Sequence, residues 1–542
     1  MARDNGSADG HAGDREPDFD VLIVGAGFAG MYLVHRLRTL GYRARVLETG
    51  DGVGGTWYWN RYPGARCDVE SVEYSYQFCD ELQQEWEWTE RYAAQSEILN
   101  YANHVADRFD LRRDIQFDTR VMSAAFDEAA RLWRLVTDTG DTLTATYCVM
   151  ATGCLSSANV PDFKGLDGFK GTWHHTGNWP HEEVDFSGQR VGVIGTGSSA
   201  IQSIPVIAEK AEQLFVFQRT ANYAVPARNG PLDRDVLLDV KANYAELRAL
   251  EKTTRNGTRY PINDVSALEV TPEERQSRYQ AMWDNGGLCY MTSFSDLLVS
   301  RDANDTAAEF IRDKIRETVP DPEVAELLSP RSVVGCKRLC IDTDYYKTYN
   351  RPNVTLVDVS QSPIEEITPD GVRANGRNFE LDVIVFATGF DAMTGALAKI
   401  DIQGCGGQTL KEKWRAGPRT FLGIATAGFP NLFMITGPGS PSVLTNMLPS
   451  IEQHVEWISD MIAYADKHGQ SRIEATAKAE NHWVSHVNEL AGRTLYPSCN
   501  SWYLGVNIPG KPQVFMPYLG YPAYQTKCRE IAANGYEGFL LS

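Results

Sequence analysis

The alternation of apolar and polar residues near the N-terminus predicts a strand, a tight turn and a helix. Residues 20–24 form a short apolar run, and Gly25-Ala26-Gly27-Phe28-Ala29-Gly30 follows it with the spacing G-x-G-x-x-G. Apolar or small residues then recur at helical spacing as far as Leu40, and Gly41 predicts the helix end. A second predicted strand, residues 43–47, ends in an acid, Glu48.

These elements together form the pattern of a dinucleotide-binding unit. Gly25, Gly27 and Gly30 would let the backbone approach a pyrophosphate at the helix N-terminus. Glu48 stands where an acid accepts hydrogen bonds from ribose hydroxyls. A glycine motif alone would be weak evidence, but the whole series of elements at this spacing is specific. We expect this first unit to bind FAD.

A second glycine motif lies about 170 residues further along the chain. Residues 191–194 predict a strand, and Gly195-Thr196-Gly197-Ser198-Ser199-Ala200 is the G-x-G-x-x-A variant at a helix start. The next predicted strand, residues 214–217, is followed by Arg219 and has no acid at its end. An arginine there suits a 2′-phosphate, which predicts NADP(H). The alternative is that Arg219 is only a surface residue.

The remaining pattern predicts an α/β fold with two Rossmann-like dinucleotide-binding domains and a helical insertion. Residues 131–150 read as a hairpin, residues 354–359 as a strand and residues 451–465 as a helix. Residues 221–335 carry helix-start signals at Thr271-Pro272-Glu273-Glu274 and Asp321-Pro322, with apolar positions at helical spacing between 305 and 318. Strands ending in Ala-Thr-Gly at Gly153 and at Gly389 suggest that the chain leaves one domain and returns to it. We predict a disordered tail at 1–18, an FAD domain at 19–153 and 387–542, an NADP domain at 154–220 and 336–386, and the insertion at 221–335.

Composition narrows the class of protein. The 542 residues suggest two to four domains, and 71 acidic against 52 basic residues give a net charge of −19, which argues against a nucleic-acid partner. No apolar run reaches membrane-spanning length, and we expect no membrane partner. The ten cysteines contain no C-x-x-C pair, and Cys336 with Cys340 matches no metal pattern. We therefore expect reduced thiols, no metal site and a cytoplasmic location.

Two further segments carry candidate chemistry. Residues 54–68 form a loop dense in Gly, Trp and Tyr, for which composition alone favours a packing role over contact with a cofactor ring. Residues 169–180 contain His175, which on physical grounds alone would more often be structural than catalytic. This segment nevertheless resembles the F-x-G-x-x-x-H-x-x-x-W-[PD] fingerprint of the type I Baeyer-Villiger monooxygenases, with every fixed position filled. The loop 54–68, both nucleotide motifs and Lys337-Arg338 also match that family in order. Stretches such as WYWNRYPGARCD, FVFQRT, GFDAMTG, GPGSPS and NSWYLG look most like its phenylacetone and steroid monooxygenase branch.

The resemblance implies a set of site residues. Positions around FAD are Gly25, Gly27, Gly30, Glu48, Thr56, Trp57, Tyr74 and Met447. Positions around NADP are Arg66, Thr196, Gly197, Ser198, Ser199, Gln202, Arg219, Thr220, Lys337 and Trp502. Asp68 and Arg338 match the catalytic pair beside the flavin, and His175 matches a residue of the interdomain linker. A substrate-pocket wall is implied at Ser440, Pro441, Ser442, Val443 and Leu444, whereas residues 284–300 look unfamiliar.

The resemblance also implies a reaction. NADPH would reduce FAD, O2 would add to give a C4a-peroxyflavin, and a ketone would become an ester or lactone, with Arg338 as the fixed cation and Asp68 orienting it. Hydrophobic aryl, cyclic or steroid-like ketones are the expected substrates, with sulfoxidation as a side activity and a monomer or weak homo-oligomer as the expected state. Three alternatives remain: an N- or S-hydroxylating flavin monooxygenase, a pyridine nucleotide-disulfide reductase, which would need a redox cysteine pair, and a non-enzymatic FAD-binding protein.

Overall fold

The computed structural model describes residues 16–542. Residues 1–15 of the predicted tail lie outside the described residues. Asp18, also in that predicted tail, is tied to the fold because its carboxylate accepts hydrogen bonds from the backbone N–H and the hydroxyl of Thr144 at 2.9 and 2.8 Å.

Strands are numbered β1 to β20 in chain order. Their bounds are Phe19–Val24, Ala44–Leu47, Ile115–Gln116, Val121–Asp127, Leu132–Thr137, Thr142–Met150, Thr172–His175, Arg190–Ile194, Gln213–Gln218, Ala224–Pro226, Cys340–Asp342, Val354–Asp358, Glu366–Thr368, Gly371–Ala374, Arg377–Glu380, Val383–Phe386, Asp401–Gln403, Leu432–Met434, Ile473–Ala475 and Phe539–Leu541.

Helices are numbered α1 to α16 in the same way. Their bounds are Phe28–Thr39, Thr56–Trp59, Asp80–Glu85, Gln95–Arg108, Ser198–Lys210, Arg234–Ala242, Tyr244–Glu251, Pro272–Asn285, Arg301–Thr318, Pro322–Leu328, Tyr345–Thr348, Gly395–Ala398, Leu410–Lys413, Met447–Lys467, Ala477–Gly492 and Tyr521–Ala533.

Two sheets with parallel cores organise the chain, as the two glycine motifs predicted. The first sheet runs β17-β4-β5-β6-β1-β2-β3, with β18 pairing in parallel with β6. The predicted hairpin is the antiparallel pair β5 and β6. The second sheet runs β12-β9-β8-β16-β7, and all of its pairs are parallel. The α/β prediction with two Rossmann-like units is therefore confirmed.

The return of the chain to each sheet is visible in the strand pairing. Strand β18, far along the chain, joins the first sheet beside β6, and β16 joins the second sheet between β8 and β7. The antiparallel sheet β13-β14-β15 precedes β16 and packs on the second unit. The precise domain boundaries stay a prediction.

The region 221–335 is mainly helical and contains α6 to α10. Helix α8 begins where predicted, because the Thr271 hydroxyl accepts from the Glu274 backbone N–H at 3.2 Å. Helix α10 begins at Pro322 with Asp321 as its cap. Helix α9 begins at Arg301, one turn before the predicted start, because the Ser300 hydroxyl accepts from Ala303 N–H.

The other predicted elements are also present. Strand β12 covers 354–358, and the predicted helix 451–465 lies inside the longer α14, which is capped by Asn446. All ten cysteines are free thiols. Within residues 16–542, no helix combines the length and the apolar character that crossing a membrane requires.

Candidate active site

A large cleft of about 2490 Å3 lies along the edges of the two sheets where the glycine motifs are located. Its lining brings together almost every residue that the sequence predicted around the two nucleotides. These are Gly25, Gly27, Glu48, Thr56, Trp57, Arg66, Asp68, Tyr74, His175, Thr196, Gly197, Ser198, Ser199, Gln202, Arg219, Thr220, Lys337, Arg338, Met447 and Trp502.

Gly30 lies behind the lining and has a packing function. A Cβ on Gly30 would lie 1.9 Å from the Gly25 carbonyl oxygen, so only glycine lets α1 approach the turn this closely. Gly25 itself has φ of 106°, in the left-handed region. Both glycines therefore fix the angle at which α1 leaves β1.

Glu48 closes the same turn from the second strand. Its buried carboxylate accepts hydrogen bonds from the backbone N–H of Ala26 at 2.6 Å and of Gly50 at 2.8 Å. Burial raises the pKa of Glu48, although these backbone donors oppose the change. The acid thus stabilises the motif and also faces the cleft, where a ribose hydroxyl would meet it.

The aromatic loop 54–68 lies directly on the first glycine motif. A Cβ on Gly55 would be 2.8 Å from the Gly27 Cα, which shows how closely the two backbones pass. The Trp57 indole N–H donates to the Tyr74 hydroxyl at 3.1 Å, and the two rings meet edge to face. Both side chains border the cleft, where a cofactor ring could contact them.

The second glycine motif leaves room for a ligand. A Cβ on Gly195 would be 2.4 Å from the Ala387 carbonyl oxygen, whereas a Cβ on Gly197 would meet no atom within 4 Å. Helix α5 begins just after Gly197 and has no acidic residue in its first turn. An open glycine at a helix N-terminus is the geometry that a phosphate group requires.

Two cations without a carboxylate partner border this part of the cleft. Among residues 16–542, no carboxylate lies within 4.0 Å of the Arg219 guanidinium or the Lys337 ammonium. Burial lowers the pKa of Lys337, and the positive charge of Arg219 adds to this effect. Two like charges that border the same part of a cleft favour an anionic ligand, and the prediction that they bind a 2′-phosphate is compatible with this arrangement.

Arg66 and Gln202 connect the two units. Arg66 donates to Glu90 at 2.6 Å and to the Tyr92 carbonyl at 2.6 Å, so its charge is already balanced. The Gln202 amide donates to the Arg66 carbonyl at 3.0 Å, and its oxygen accepts from the Tyr62 hydroxyl at 2.8 Å. These bonds hold the aromatic loop against α5.

His175 is buried and held at both ring nitrogens. Its Nδ1 accepts from the Gly177 N–H at 2.9 Å, and Nε2 lies 3.2 Å from the Thr388 hydroxyl. Since Nδ1 accepts, the neutral ring carries its proton on Nε2. Burial lowers the pKa of His175 to about 4. This histidine therefore links β7 to the segment after β16 and is unsuited to donating protons at neutral pH.

Arg338 and Asp68 form a bidentate ion pair in the interior. Arg338 Nε and Nη2 donate to the two Asp68 oxygens at 2.5 and 2.9 Å, and Nη1 donates to the Val443 carbonyl at 2.6 Å. Burial opposes the charge, but Asp68 outweighs it and raises the pKa of Arg338. The guanidinium is thus a fixed, permanent cation with two N–H groups still free to donate.

A small cavity of about 120 Å3 lies on the far side of this ion pair. Asp68, Val69, Arg338 and Val443 line both the cleft and the cavity. The unfamiliar stretch 284–300 supplies one wall, through residues that include Leu288, Met291, Phe294 and Leu298. The cavity is therefore a compartment that meets the cleft at the Arg338 cation.

The predicted wall 440–444 is only partly in contact with this cavity. Val443 and Leu444 line it, whereas the buried hydroxyls of Ser440 and Ser442 turn to the Gly437 carbonyl and the Met393 sulfur. Pro441 is likewise outside the lining. The short helical turn Ser442–Leu444 explains the difference, because it points successive side chains in different directions.

Sequence reasoning missed several lining residues of the cavity. Arg255, Asn256, Tyr496 and Tyr503 all border it, and they come from the insertion and from the chain near Trp502. Tyr503 lies in the family-like stretch NSWYLG, but no motif or periodicity marks the other three, because each stands in a loop or a short turn. Only the fold brings them together.

Three comparisons place this arrangement among known proteins. The family model for pyridine nucleotide-disulphide oxidoreductases matches residues 22–243. A Baeyer-Villiger monooxygenase of Pseudooceanicola batsensis is 45% identical over 96% of both chains, and a phenazine N-monooxygenase of Lysobacter antibioticus is 43% identical over 96% of this chain and 97% of that one. The structure of an oxidised steroid monooxygenase bound to NADP superposes with a TM-score of 0.92 at 54% identity, covering 96% of this chain and 99% of that one.

Proposed function

This chain belongs to the Baeyer-Villiger monooxygenases, and we propose that it oxygenates hydrophobic ketones at the Arg338 cation to give esters or lactones. It is an NADPH-dependent flavoprotein that uses FAD. The assignment of individual residues, the ketone class and sulfide oxidation as a side activity are parts of the proposal.

One observation carries the proposal. The Arg338–Asp68 ion pair lies where the large cleft meets the small cavity, so a single cation faces both compartments. The cleft has the features that fit two dinucleotides, namely the open Gly197 turn and the unpartnered pair Arg219 and Lys337. A reaction between a bound cofactor and a substrate in the cavity would take place beside Arg338.

FAD held by the first glycine motif would, when reduced by NADPH, supply the activation of O2 by which one oxygen atom is transferred and the other leaves as water. Arg338 supplies positive charge where negative charge develops on oxygen during that transfer, and its two free N–H groups can donate to it. Asp68 accepts from Nε and Nη2 on one edge of the guanidinium and the Val443 carbonyl accepts from Nη1, so the cation is already positioned when charge develops.

Other residues of the chain position the cofactors. Arg219 and Lys337 would hold the 2′-phosphate, and the N–H groups at the start of α5 would hold the pyrophosphate of NADPH. The first glycine motif and Glu48 would hold the FAD pyrophosphate and ribose. His175, bonded to Gly177 N–H and Thr388, would couple the linker to the second sheet without moving a proton.

The cavity supports the proposed substrate class. Its wall is largely apolar, and a volume of about 120 Å3 is on the scale of a single small ring. Ring-sized aryl or cyclic ketones are therefore the first substrates to test. Steroid-sized ketones would require residues 284–300 and the loop that carries Leu444 to move apart.

The test is product formation by the purified holoenzyme. Aryl, cyclic, linear and steroid ketones should each be supplied with NADPH and O2, and ester or lactone should be quantified by mass. Conversion of ring-sized ketones supports the proposal. NADPH oxidation without any ester from the whole panel would contradict it.

A second candidate function is N-oxygenation of an aromatic heterocycle, which the phenazine N-monooxygenase relative supports. The same flavin chemistry would serve it, since an apolar cavity beside a cation also admits a flat heteroaromatic ring. Phenazine and quinoline should be included in the panel. An N-oxide formed faster than any ester would favour this second function.

A further inference from the structure

We propose that Arg255 forms an anion-binding subsite in the small cavity and holds a carboxylate carried by the ketone substrate. This inference rests on the proposed ketone oxygenation and extends it, because it names a second recognition group on the substrate. The substrate class would be a ring-sized hydrophobic keto acid.

The backbone that carries Arg255 is rigid. The Thr254 hydroxyl donates to the Thr258 carbonyl at 2.5 Å and accepts from the Thr258 N–H at 3.0 Å, which closes a tight turn. The Arg255 carbonyl accepts from the Tyr521 N–H at 3.1 Å, and the Asn256 carbonyl accepts from the Asn446 N–H at 2.8 Å. The turn is therefore fixed to the starts of α16 and α14.

The Arg255 side chain has no partner of its own in the protein. Across the part of the chain that the structure describes, no carboxylate lies within 4.0 Å of this half-buried guanidinium, and it donates no hydrogen bond. The neighbouring arginines around the cavity all have carboxylates: Arg338 pairs with Asp68, and Arg91 and Arg259 share Glu70. A guanidinium that borders a cavity without a counter-charge is available to bind an anionic ligand.

The acids that also line the cavity leave this charge uncompensated. Glu70 is already engaged by two arginines and by the Tyr260 hydroxyl at 2.5 Å. Burial, together with Glu251, raises the pKa of Glu73, and the Glu73 carboxyl already accepts from the Arg259 backbone N–H at 2.6 Å. These acids are therefore engaged by other groups, and none of them pairs with Arg255.

The position of Arg255 suits a group distant from the reacting carbonyl. Arg338 lines both cleft and cavity, whereas Arg255 lines the cavity alone. Arg255 is close enough to Tyr496 for its charge to oppose the burial that raises the pKa of Tyr496 to about 12. A substrate carbonyl directed at Arg338 can therefore carry its anionic group into the region of Arg255 and Tyr496.

A carboxylate is the anion that fits best. The planar fork of one guanidinium binds a carboxylate through two parallel hydrogen bonds, and a carboxylate adds little volume to a ring in a cavity of about 120 Å3. A phosphate carries more charge and is better served by two cations, such as Arg219 and Lys337 in the cleft.

The test uses two isosteric substrates, 4-oxocyclohexanecarboxylate and 4-oxocyclohexanecarboxamide, with the holoenzyme. The wild type should show a KM for the carboxylate at least about tenfold below that for the amide, the scale of one charge-assisted contact. Arg255→Met should remove this preference by raising KM for the carboxylate about 10- to 100-fold. KM for the amide and kcat for both substrates should change less than about threefold, and Arg255→Lys should restore part of the preference.

A matched control removes the same charge elsewhere in the insertion. Arg275 donates to the Ala267 carbonyl and lies outside the cavity lining, so Arg275→Met should leave both KM values unchanged. An equal rise in KM for carboxylate and amide in Arg255→Met would mean a structural function for Arg255. A wild-type preference for the amide would also overturn the subsite.

Binding of a non-reactive carboxylate separates this inference from the proposed reaction. Cyclohexanecarboxylate should perturb the flavin absorbance of the wild type and bind at least about tenfold more weakly to Arg255→Met. Equal binding to both proteins would overturn the subsite even if ketones are oxygenated. Inorganic phosphate should compete poorly, and competition stronger than that of cyclohexanecarboxylate would refute the carboxylate assignment.

Discussion

Replacement of Arg219 by alanine should cost the enzyme its preference for NADPH over NADH. Arg219 and Lys337 are neighbouring cations at the cleft, and among residues 16–542 neither has a carboxylate within 4.0 Å. The 2′-phosphate of NADPH is the only group that differs between the two cofactors. Removing one of its two cations should therefore weaken NADPH binding specifically.

The magnitude follows from one charge-assisted contact. Such a contact contributes about 1.5 to 3 kcal/mol, which corresponds to roughly 10- to 150-fold in affinity. KM for NADPH should rise by that factor in Arg219→Ala, whereas KM for NADH should change less than about threefold. Lys337→Ala should behave in the same direction.

The assay is NADPH and NADH oxidation at saturating ketone, with dissociation constants for NADP+ as a check on KM. Arg377→Ala is the control, because this exposed arginine belongs to the same unit but lies outside the cleft. A rise of equal size for NADPH and NADH in Arg219→Ala would refute the phosphate assignment, since the loss would then be independent of the 2′ group.

Two further predictions concern packing and pH. Gly30→Ala should yield protein with little bound FAD, measured as the ratio of flavin to protein absorbance, because the added Cβ would clash with the Gly25 carbonyl. Gly197→Ala should keep FAD and the melting temperature but raise KM for NADPH, because its added Cβ meets only the open cleft. Equal flavin loss in both variants would contradict this reasoning. Burial lowers the pKa of His175 to about 4 in the folded protein, whereas the unfolded chain has a histidine pKa of about 6.5. The contribution of His175 to stability is therefore fully present above a pH of about 6.5. It is lost as the pH falls from about 6.5 to about 4, because the unfolded state then binds a proton that the folded state does not. His175→Asn should therefore unfold in urea with a smaller loss of stability over that pH range than the wild type, and an unchanged pH dependence would show that His175 does not titrate with unfolding.

The nucleotide units were predictable because their chemistry is local. A turn that brings α1 close to the Gly25 carbonyl requires glycine at Gly30, and the whole motif spans only the six residues 25–30. The acid Glu48 and the cation Arg219 each follow directly after a strand, so their positions relative to the turn were fixed by the same short units. The strands next to the two glycine motifs were therefore predicted with nearly correct bounds, whereas β3, β4, β7, β17 and β18 were not predicted.

The reacting centre was less accessible to sequence reasoning. Asp68 and Arg338 are 270 residues apart, and only the resemblance to a family paired them. Val443 and Leu444 were expected in the cavity, but the turn at Ser442–Leu444 directs Ser440 and Ser442 elsewhere. Arg255 carries no motif, because its importance comes from the absence of a partner, which only a three-dimensional structure reveals.

The Arg338 cation is central to the proposed reaction, and the amount of ester formed per NADPH consumed in Arg338→Ala tests its function most directly. The variant should bind FAD, accept electrons from NADPH and release hydrogen peroxide, because Lys337 and the glycine motifs remain. Ester formation should fall at least about a hundredfold, the scale for losing one preorganised charge in a site that excludes water. Coupled ester synthesis at near wild-type rate would contradict the account, and a defect confined to NADPH affinity would make Arg338 a phosphate ligand instead.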